Sequence, residues 1–284
     1  MNIDYVYSVD HIVREGETET SSCVSINPGG KGLNQSVALA RAGAEVYHAG
    51  MVGKEGRNLI DKCIENGVNV DHVRMTDGQS GHTIIQVDKN GENSIILFGG
   101  ANQCMTTEFI DDVLKDFESG DMILLQNEIN LLDTIIEKAY EKDMQIVLNP
   151  SPYNEALSKC DLSKVTYLLL NEIEGEQMTG RKEPDIILDE IHRMYPDAKV
   201  VLTLGEDGSV YMEGDMICRQ EAFKVKAVDT TAAGDTFTGY FISSMLKGME
   251  PVRSLEIAAK ASAIAVTRQG ALDSVPMLYE VVKE

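Results

Sequence analysis

Short apolar runs separated by amphipathic stretches leave this chain few folds to choose from. The runs Ile123-Leu124-Leu125, Gln145-Ile146-Val147-Leu148, Tyr167-Leu168-Leu169-Leu170 and Lys199-Val200-Val201-Leu202-Thr203 read as buried strands. Between them, Leu132 to Lys142 and Asp185 to Met194 carry apolar residues at helical spacing. Strand–helix–strand alternation is the pattern of an α/β fold, a mostly parallel central sheet flanked by helices on both faces with right-handed crossovers. Ligands of such sheets bind beyond the carboxyl ends of the strands. The positions to inspect are therefore Asn127-Glu128, Asn149-Pro150, Asn171-Glu172 and Gly205. At 284 residues, 43% of them hydrophobic, the chain can fill the core of one large domain spanning 1–284.

Two segments break the alternation. Gly81 to Asp88 and Asn93 to Phe98 flank Lys89-Asn90-Gly91-Glu92, and Asn-Gly between β-rich runs predicts a hairpin. With residues 5–25 it predicts a small β-sheet standing off the main domain, formed by about 5–25 and 80–100, as a lid over a site, a dimer surface, or both. Its apolar positions, among them Ile84, Val87, Ile95 and Leu97, need a partner surface.

The formal net charge of -21 argues against a general nucleic-acid binder, which needs a basic face. An anionic substrate would need local positive groups, helix N-termini or a metal ion. Cys23, Cys63, Cys104, Cys160 and Cys218 are scattered and form no CxxC pair, as expected of reduced thiols rather than a structural zinc site. No apolar run reaches membrane-spanning length, and Met1 leads into Asn2-Ile3-Asp4 rather than a basic-apolar signal, so a soluble cytoplasmic protein with no membrane partner is expected.

Two motifs carry chemistry. Asn27-Pro28-Gly29-Gly30-Lys31-Gly32-Leu33-Asn34-Gln35 opens a helical stretch with three glycines in four residues. Bare backbone approaches a ligand closely, a helix start offers free N–H groups, and Lys31 and Asn34 add polar side chains, which suits a hydroxyl-rich ligand. An ordinary glycine turn before a helix reads the same way on pattern alone. Walker spacing is absent, as is the GxGxxG-plus-acid arrangement of dinucleotide-binding units. The second motif, Asp229-Thr230-Thr231-Ala232-Ala233-Gly234-Asp235-Thr236-Phe237-Thr238-Gly239, follows the strand-like alternation Phe223 to Val228 and precedes a helical stretch Tyr240 to Lys247. Small residues at Ala232, Ala233 and Gly234 leave a helix N-terminus bare for negative charge developing on a phosphoryl group. Asp235 at that terminus can accept a hydroxyl proton, or act simply as an N-cap. Phosphoryl transfer asks mainly for positioning and charge stabilisation, with one base to orient the nucleophile.

With both motifs in hand, the chain resembles the ribokinase-like (PfkB) carbohydrate kinases, whose two signatures they match. The resemblance runs from Asn2 to about Pro276 and includes, in order, Leu148-Asn149-Pro150-Ser151-Pro152, Asn171-Glu172-Ile173-Glu174, Thr203 to Gly208 and Ala263 to Ala271. It implies an ATP-dependent kinase acting on a sugar hydroxyl. Asp235 would be the catalytic base, and the backbone of Ala232, Ala233 and Gly234 the anion hole. Asn2, Asp4, Gly30, Lys31, Asn34 and Glu128 would bind the sugar. Asn171 with Thr203, Leu204, Gly205, Glu206, Asp207 and Gly208 would bind the nucleotide, together with Gly234. Glu174 would order the magnesium environment through water. A potassium site would draw on Asp229, Thr231, Ala265, Arg268, Gly270 and Ser274, mostly through carbonyls, with Asp229 the one charged ligand. Taken alone, Glu128 and Glu174 also read as solvated carboxylates and Asn171 as a turn residue.

Within the family, Gly-Gly-Lys-Gly-x-Asn together with Ala-Ala-Gly-Asp most resembles the ribokinases, so ribose is the expected sugar and a homodimer through the β-lid the expected assembly. A kinase for fructose, deoxyribose or a nucleoside, or a catalytically impaired binding protein, is the alternative. Family members place a strand just before Asn-x-Asp, where Met1 stands here. Either that strand lies upstream of this sequence or the sheet forms without it, with the strands beside the gap left unpaired.

Overall fold

The computed structural model describes residues 1–283. The chain opens on β1 (Asn2–Ser8), β2 (Cys23–Gly29) and α1 (Lys31–Arg41), then β3 (Tyr47–Gly53), α2 (Arg57–Glu65), β4 (Asn69–Thr76), β5 (Gly81–Val87) and β6 (Asn93–Phe98). It continues through α3 (Thr107–Leu114), β7 (Met122–Gln126), α4 (Leu132–Glu141), β8 (Gln145–Asn149), β9 (Tyr167–Asn171), α5 (Glu172–Thr179), α6 (Pro184–Met194) and β10 (Lys199–Thr203). It closes with β11 (Ser209–Glu213), β12 (Met216–Gln220), α7 (Ala233–Leu246), α8 (Pro251–Val266) and α9 (Leu278–Val281).

Each of the four apolar runs lies within a strand of a six-stranded sheet ordered β12-β11-β10-β9-β8-β7. Strands β7 to β10 run parallel, and β11 and β12 turn back antiparallel. Successive residues of a strand face opposite sides, and here both sides are buried. Tyr167, Leu169, Val147 and Val201 join a core with α1, α2, α7 and α8. Leu168, Leu170, Ile146, Leu148, Val200 and Leu202 join a second core with α4 and α6. This is why the strands read as unbroken apolar runs rather than alternating ones.

The Asn-Gly hairpin forms as β5 and β6, closed where Asp88 Oδ1 accepts from the N–H groups of Asn90 and Glu92. It belongs to a separate four-stranded sheet, β2-β1-β5-β6. This sheet begins at Asn2, earlier than the expected residue 5, because β1 pairs along its whole length with β2 on one side and β5 on the other. Residues 9–22 form a connection rather than strand.

One expectation is corrected. Phe223 to Val228 alternates like a strand but pairs with none, and Phe223, Val225 and Val228 face solvent. The following helix starts at Ala233, within the small-residue stretch read as its N-terminus, where the left-handed backbone of Ala232 (φ +59°) turns the chain into it. Among the described residues, β7 pairs only with β8 and β3 only with β4, while α1 packs against both β3 and β7.

Candidate active site

Helices α1 and α7 bring the two motifs together. A Cβ at Gly239 would lie 2.4 Å from Ala38 Cβ and 2.8 Å from the backbone of α1, so only glycine lets the helices cross this closely. Their N-terminal turns meet as a result. Asp235 is buried and its carboxylate is gripped on both sides: Asn34 Nδ2 donates to Oδ2 at 2.9 Å and Gln35 Nε2 donates to Oδ1 at 2.8 Å. Asn34 Oδ1 is buried with no hydrogen-bond partner. An acceptor left open in such a place calls for a donor, and a ligand hydroxyl is one.

At the start of α7, Ala233 N–H donates to Thr230 O (3.2 Å) and Thr236 N–H to Ala232 O (2.8 Å). Among the described residues the amides of Ala232, Gly234 and Asp235 have no partner. The amides of Ala232, Gly234 and Asp235 are thus the ones left to donate at this helix start, while Ala233 is already engaged. One cavity is lined by these residues together with Lys31, Asn149, Asn171, Glu174 and Thr203. It lies at the carboxyl ends of β8, β9 and β10, as the strand–helix alternation predicts.

On the other side, β1 and the start of α1 carry the expected sugar groups. Asn2 is buried and accepts from Asn102 Nδ2 at 2.8 Å. Gly30, at φ +88°, packs so close that a Cβ there would lie 2.9 Å from Asn2 N. Thr83 Oγ1, opposite Asp4 in the β1–β5 register, donates to Asp4 Oδ1 at 2.6 Å. Burial raises the Asp4 carboxyl above its ordinary value despite that hydrogen bond. Burial likewise raises Glu128, against the opposing pull of positive charge that includes Lys31. Both carboxylates therefore sit in partly dry surroundings rather than in open solvent.

Asn171 and Glu174 form a capping box on α5: Glu174 N–H donates to Asn171 Oδ1 at 2.8 Å, and Asn171 N–H to Glu174 Oε2 at 3.1 Å. Glu174 is buried, not a solvated carboxylate, and one of its oxygens is committed to the cap. It lines the cavity, and its donor chemistry fits a role in ordering water around a magnesium ion. Thr203 also lines the cavity, whereas Leu204, Gly205, Glu206, Asp207 and Gly208 form a tight turn beyond it, closed by Leu204 N–H to Gly208 O at 2.8 Å.

Asp229 ties two loops together. Its Oδ1 accepts from Thr231 N–H and its Oδ2 from Gly270 N–H, both at 2.9 Å. Burial pulls its carboxyl upward, but the hydrogen bonds, chiefly from Thr231 and then Gly270, outweigh that and hold it below the ordinary range. An ionised carboxylate is the donor type a hard monovalent cation takes. Ala265 O accepts from Arg268 N–H (2.9 Å), the Arg268 guanidinium pairs with Glu280 (2.6 Å), and Ser274 Oγ donates to Ala271 O (2.8 Å). The Arg268 and Ser274 side chains and one lone pair of the Ala265 carbonyl are thus already engaged.

Against known proteins, the pfkB family carbohydrate kinase pattern matches residues 1–278. The chain belongs to the pfkB family. It is an ATP-dependent carbohydrate kinase. It is 33% identical to a ribokinase of Bacillus subtilis over 287 residues, covering 99% of this chain and 95% of that protein. It is 32% identical to a deoxyribokinase of Salmonella typhimurium over 296 residues, covering 98% and 94%. Among pfkB-like solved structures, an Arabidopsis thaliana ribokinase complexed with ribose and ATP superposes with a TM-score of 0.87 at 27% identity, covering 99% of this chain and 95% of that one. A Cryptococcus neoformans ribokinase in complex with ADP gives 0.84 at 30%, covering 99% and 96%. The sequence reading of this pfkB chain overlooked Gln35, Gln126 and Thr83. Gln35 follows Asn34 inside the glycine motif, and Gln126 ends β7, so position alone could have marked both.

Proposed function

We propose that this kinase phosphorylates ribose with ATP, using Asp235 as the base. The observation that carries the reading is the buried Asp235 carboxylate at a helix start with unpaired amides, beside the open acceptor of Asn34. A sugar hydroxyl donating to Asn34 Oδ1 places a neighbouring hydroxyl near Asp235. Asp235 takes that hydroxyl's proton as its oxygen bonds the γ-phosphorus. The bond from that phosphorus to the departing ADP breaks, and ADP carries away the electron pair. Charge on the moving phosphoryl group is met by the amides of Ala232, Gly234 and Asp235 and by Lys31. Asp4, held by Thr83, and Glu128 are poised to accept further sugar hydroxyls, with Asn2 and Gly30 shaping the wall. Magnesium bound with ATP supplies charge neutralisation at the phosphates, with Glu174 ordering its water. Asp229, with backbone carbonyls of residues 229–231 and 265–274, would hold a potassium ion, which would supply positive charge to the transfer.

The four-stranded sheet extends the reading. Val24, Ile26, Ile84, Ile95, Ile96, Leu97 and Phe98 are all exposed on it. So much apolar surface on one small sheet favours a covered state, and we assign it to a lid whose partner is a second copy in a homodimer.

Release of ADP measured against ribose, deoxyribose, fructose and adenosine tests the substrate. Ribose is expected to give the highest kcat/KM, with potassium raising turnover and Asp229→Ala removing that gain. Deoxyribose is the second reading, favoured by the deoxyribokinase relative. A clear preference for any other acceptor overturns the ribose assignment, and indifference to potassium overturns the cation site.

A further inference from the structure

We propose that Gln35, itself locked by Gln126, is a positioning residue that fixes which oxygen of Asp235 takes the proton. The proposal rests on Asp235 acting as the base.

Gln35 is 1% exposed and has every polar atom engaged. Its Oε1 accepts from Gln126 Nε2 at 2.6 Å, and its Nε2 donates to Asp235 Oδ1 at 2.8 Å and, more weakly, toward Asn149 Oδ1 at 3.4 Å. Asn149 is oriented in turn by donating from Nδ2 to Leu169 O at 2.9 Å. A side-chain amide can flip, exchanging donor for acceptor. Here a flip would set Gln35 Oε1 against the Asp235 carboxylate and leave two NH₂ groups, those of Gln35 and Gln126, facing each other. Gln126 and Asn149 stand at the carboxyl ends of adjacent strands β7 and β8, so the sheet itself dictates the amide's direction.

The consequence falls on the base. Oδ1 is held by a rigid, buried donor that no substrate group replaces. Oδ2 is held only by Asn34, whose other atom waits for a ligand. Oδ2 is therefore the oxygen free to receive the hydroxyl proton, while Gln35 keeps the carboxylate plane fixed through the transfer. Orientation of this kind acts on the chemical step more than on binding.

Steady-state kinetics on the full chain tests this, using whichever sugar the wild type phosphorylates fastest, so an error about ribose does not affect it. Gln35→Leu removes the donor. Gln126→Glu keeps size but puts an acceptor against Gln35 Oε1, driving the flip. Each is expected to lower kcat about tenfold or more, the worth of one charge-assisted hydrogen bond, with KM for ATP and sugar changed less than about twofold. The double variant is expected to be no slower than Gln35→Leu alone, because both act through one contact. Thermal melting identifies any variant that fails to fold, and Gln126→Glu at the strand end decides the matter if Gln35→Leu does. Wild-type kcat in a folded single variant, a loss confined to KM, or multiplying losses in the double variant overturns the relay. Asp235→Asn in the same assay separates the two readings. If it retains wild-type turnover, the base assignment itself fails; if it is inactive while the glutamine variants are normal, only the relay fails.

Discussion

Asp4 shows how binding chemistry and stability oppose each other at a single residue. Its carboxylate is partly buried on β1, where we propose that it accepts sugar hydroxyls, and desolvation raises its folded-state value above the ordinary 3.8. A raised carboxyl binds protons more tightly in the folded state than in the unfolded one. Stability therefore falls as pH climbs through the window just above 3.8, and the deficit persists at neutral pH. Asn at this position can still accept from Thr83 but carries no charge. Asp4→Asn is expected to raise Tm at about pH 8 and to lose most of that advantage near pH ~3.5, while weakening sugar binding. Melting curves at the two pH values check it: an advantage equal at both contradicts the assigned cause.

Helices α1 and α7 carry the proposed catalytic geometry, and at Gly239 they cross too closely for any Cβ. Gly239→Leu would overpack that crossing, which costs about 1–3 kcal/mol in a filled core, and would displace Asn34 from Asp235. The expected result is a lower Tm together with a fall in kcat larger than the loss of folded protein explains; unchanged kcat in the folded variant would show that the crossing does not set the site. Much at this scale was legible in the sequence. The apolar runs marked β7 to β10, and of the positions inspected at their ends Asn149 and Asn171 line the cavity, whereas Asn127, Glu128, Pro150, Glu172 and Gly205 do not. The hairpin was legible because Asn90-Gly91 sits between β-rich runs. Other features were not. Strand β3 contains His48, Gly50 and Gly53 and shows no apolar run. The left-handed backbone of Ala232, which turns the chain into α7, follows from no composition rule. The Gln126–Gln35–Asp235 chain joins residues 91 and 200 positions apart, and only the packing of α1 between β7 and α7 brings them together.

For the molecule as a whole, the proposed phosphoryl site lies where the start of α7 meets the carboxyl ends of β8 to β10, while the four-stranded sheet carries Asn2 and Asp4 and leaves Ile26, Ile84, Ile96 and Phe98 exposed on one face. Light scattering is expected to report a dimer, and Ile96→Lys, a charge placed on a side chain 62% exposed on that face, to shift it toward monomer without unfolding it. A strictly monomeric wild type contradicts the shared-sheet assembly. A net charge of -21 makes the placement of each positive group and bare helix terminus decisive for an anionic substrate. The account turns on one carboxylate at one such terminus. Turnover of Asp235→Asn, measured beside its affinity for ATP, is the most direct test. The expected result is a fall of about 100-fold or more in kcat with ATP binding and fold retained; turnover close to wild type would contradict it.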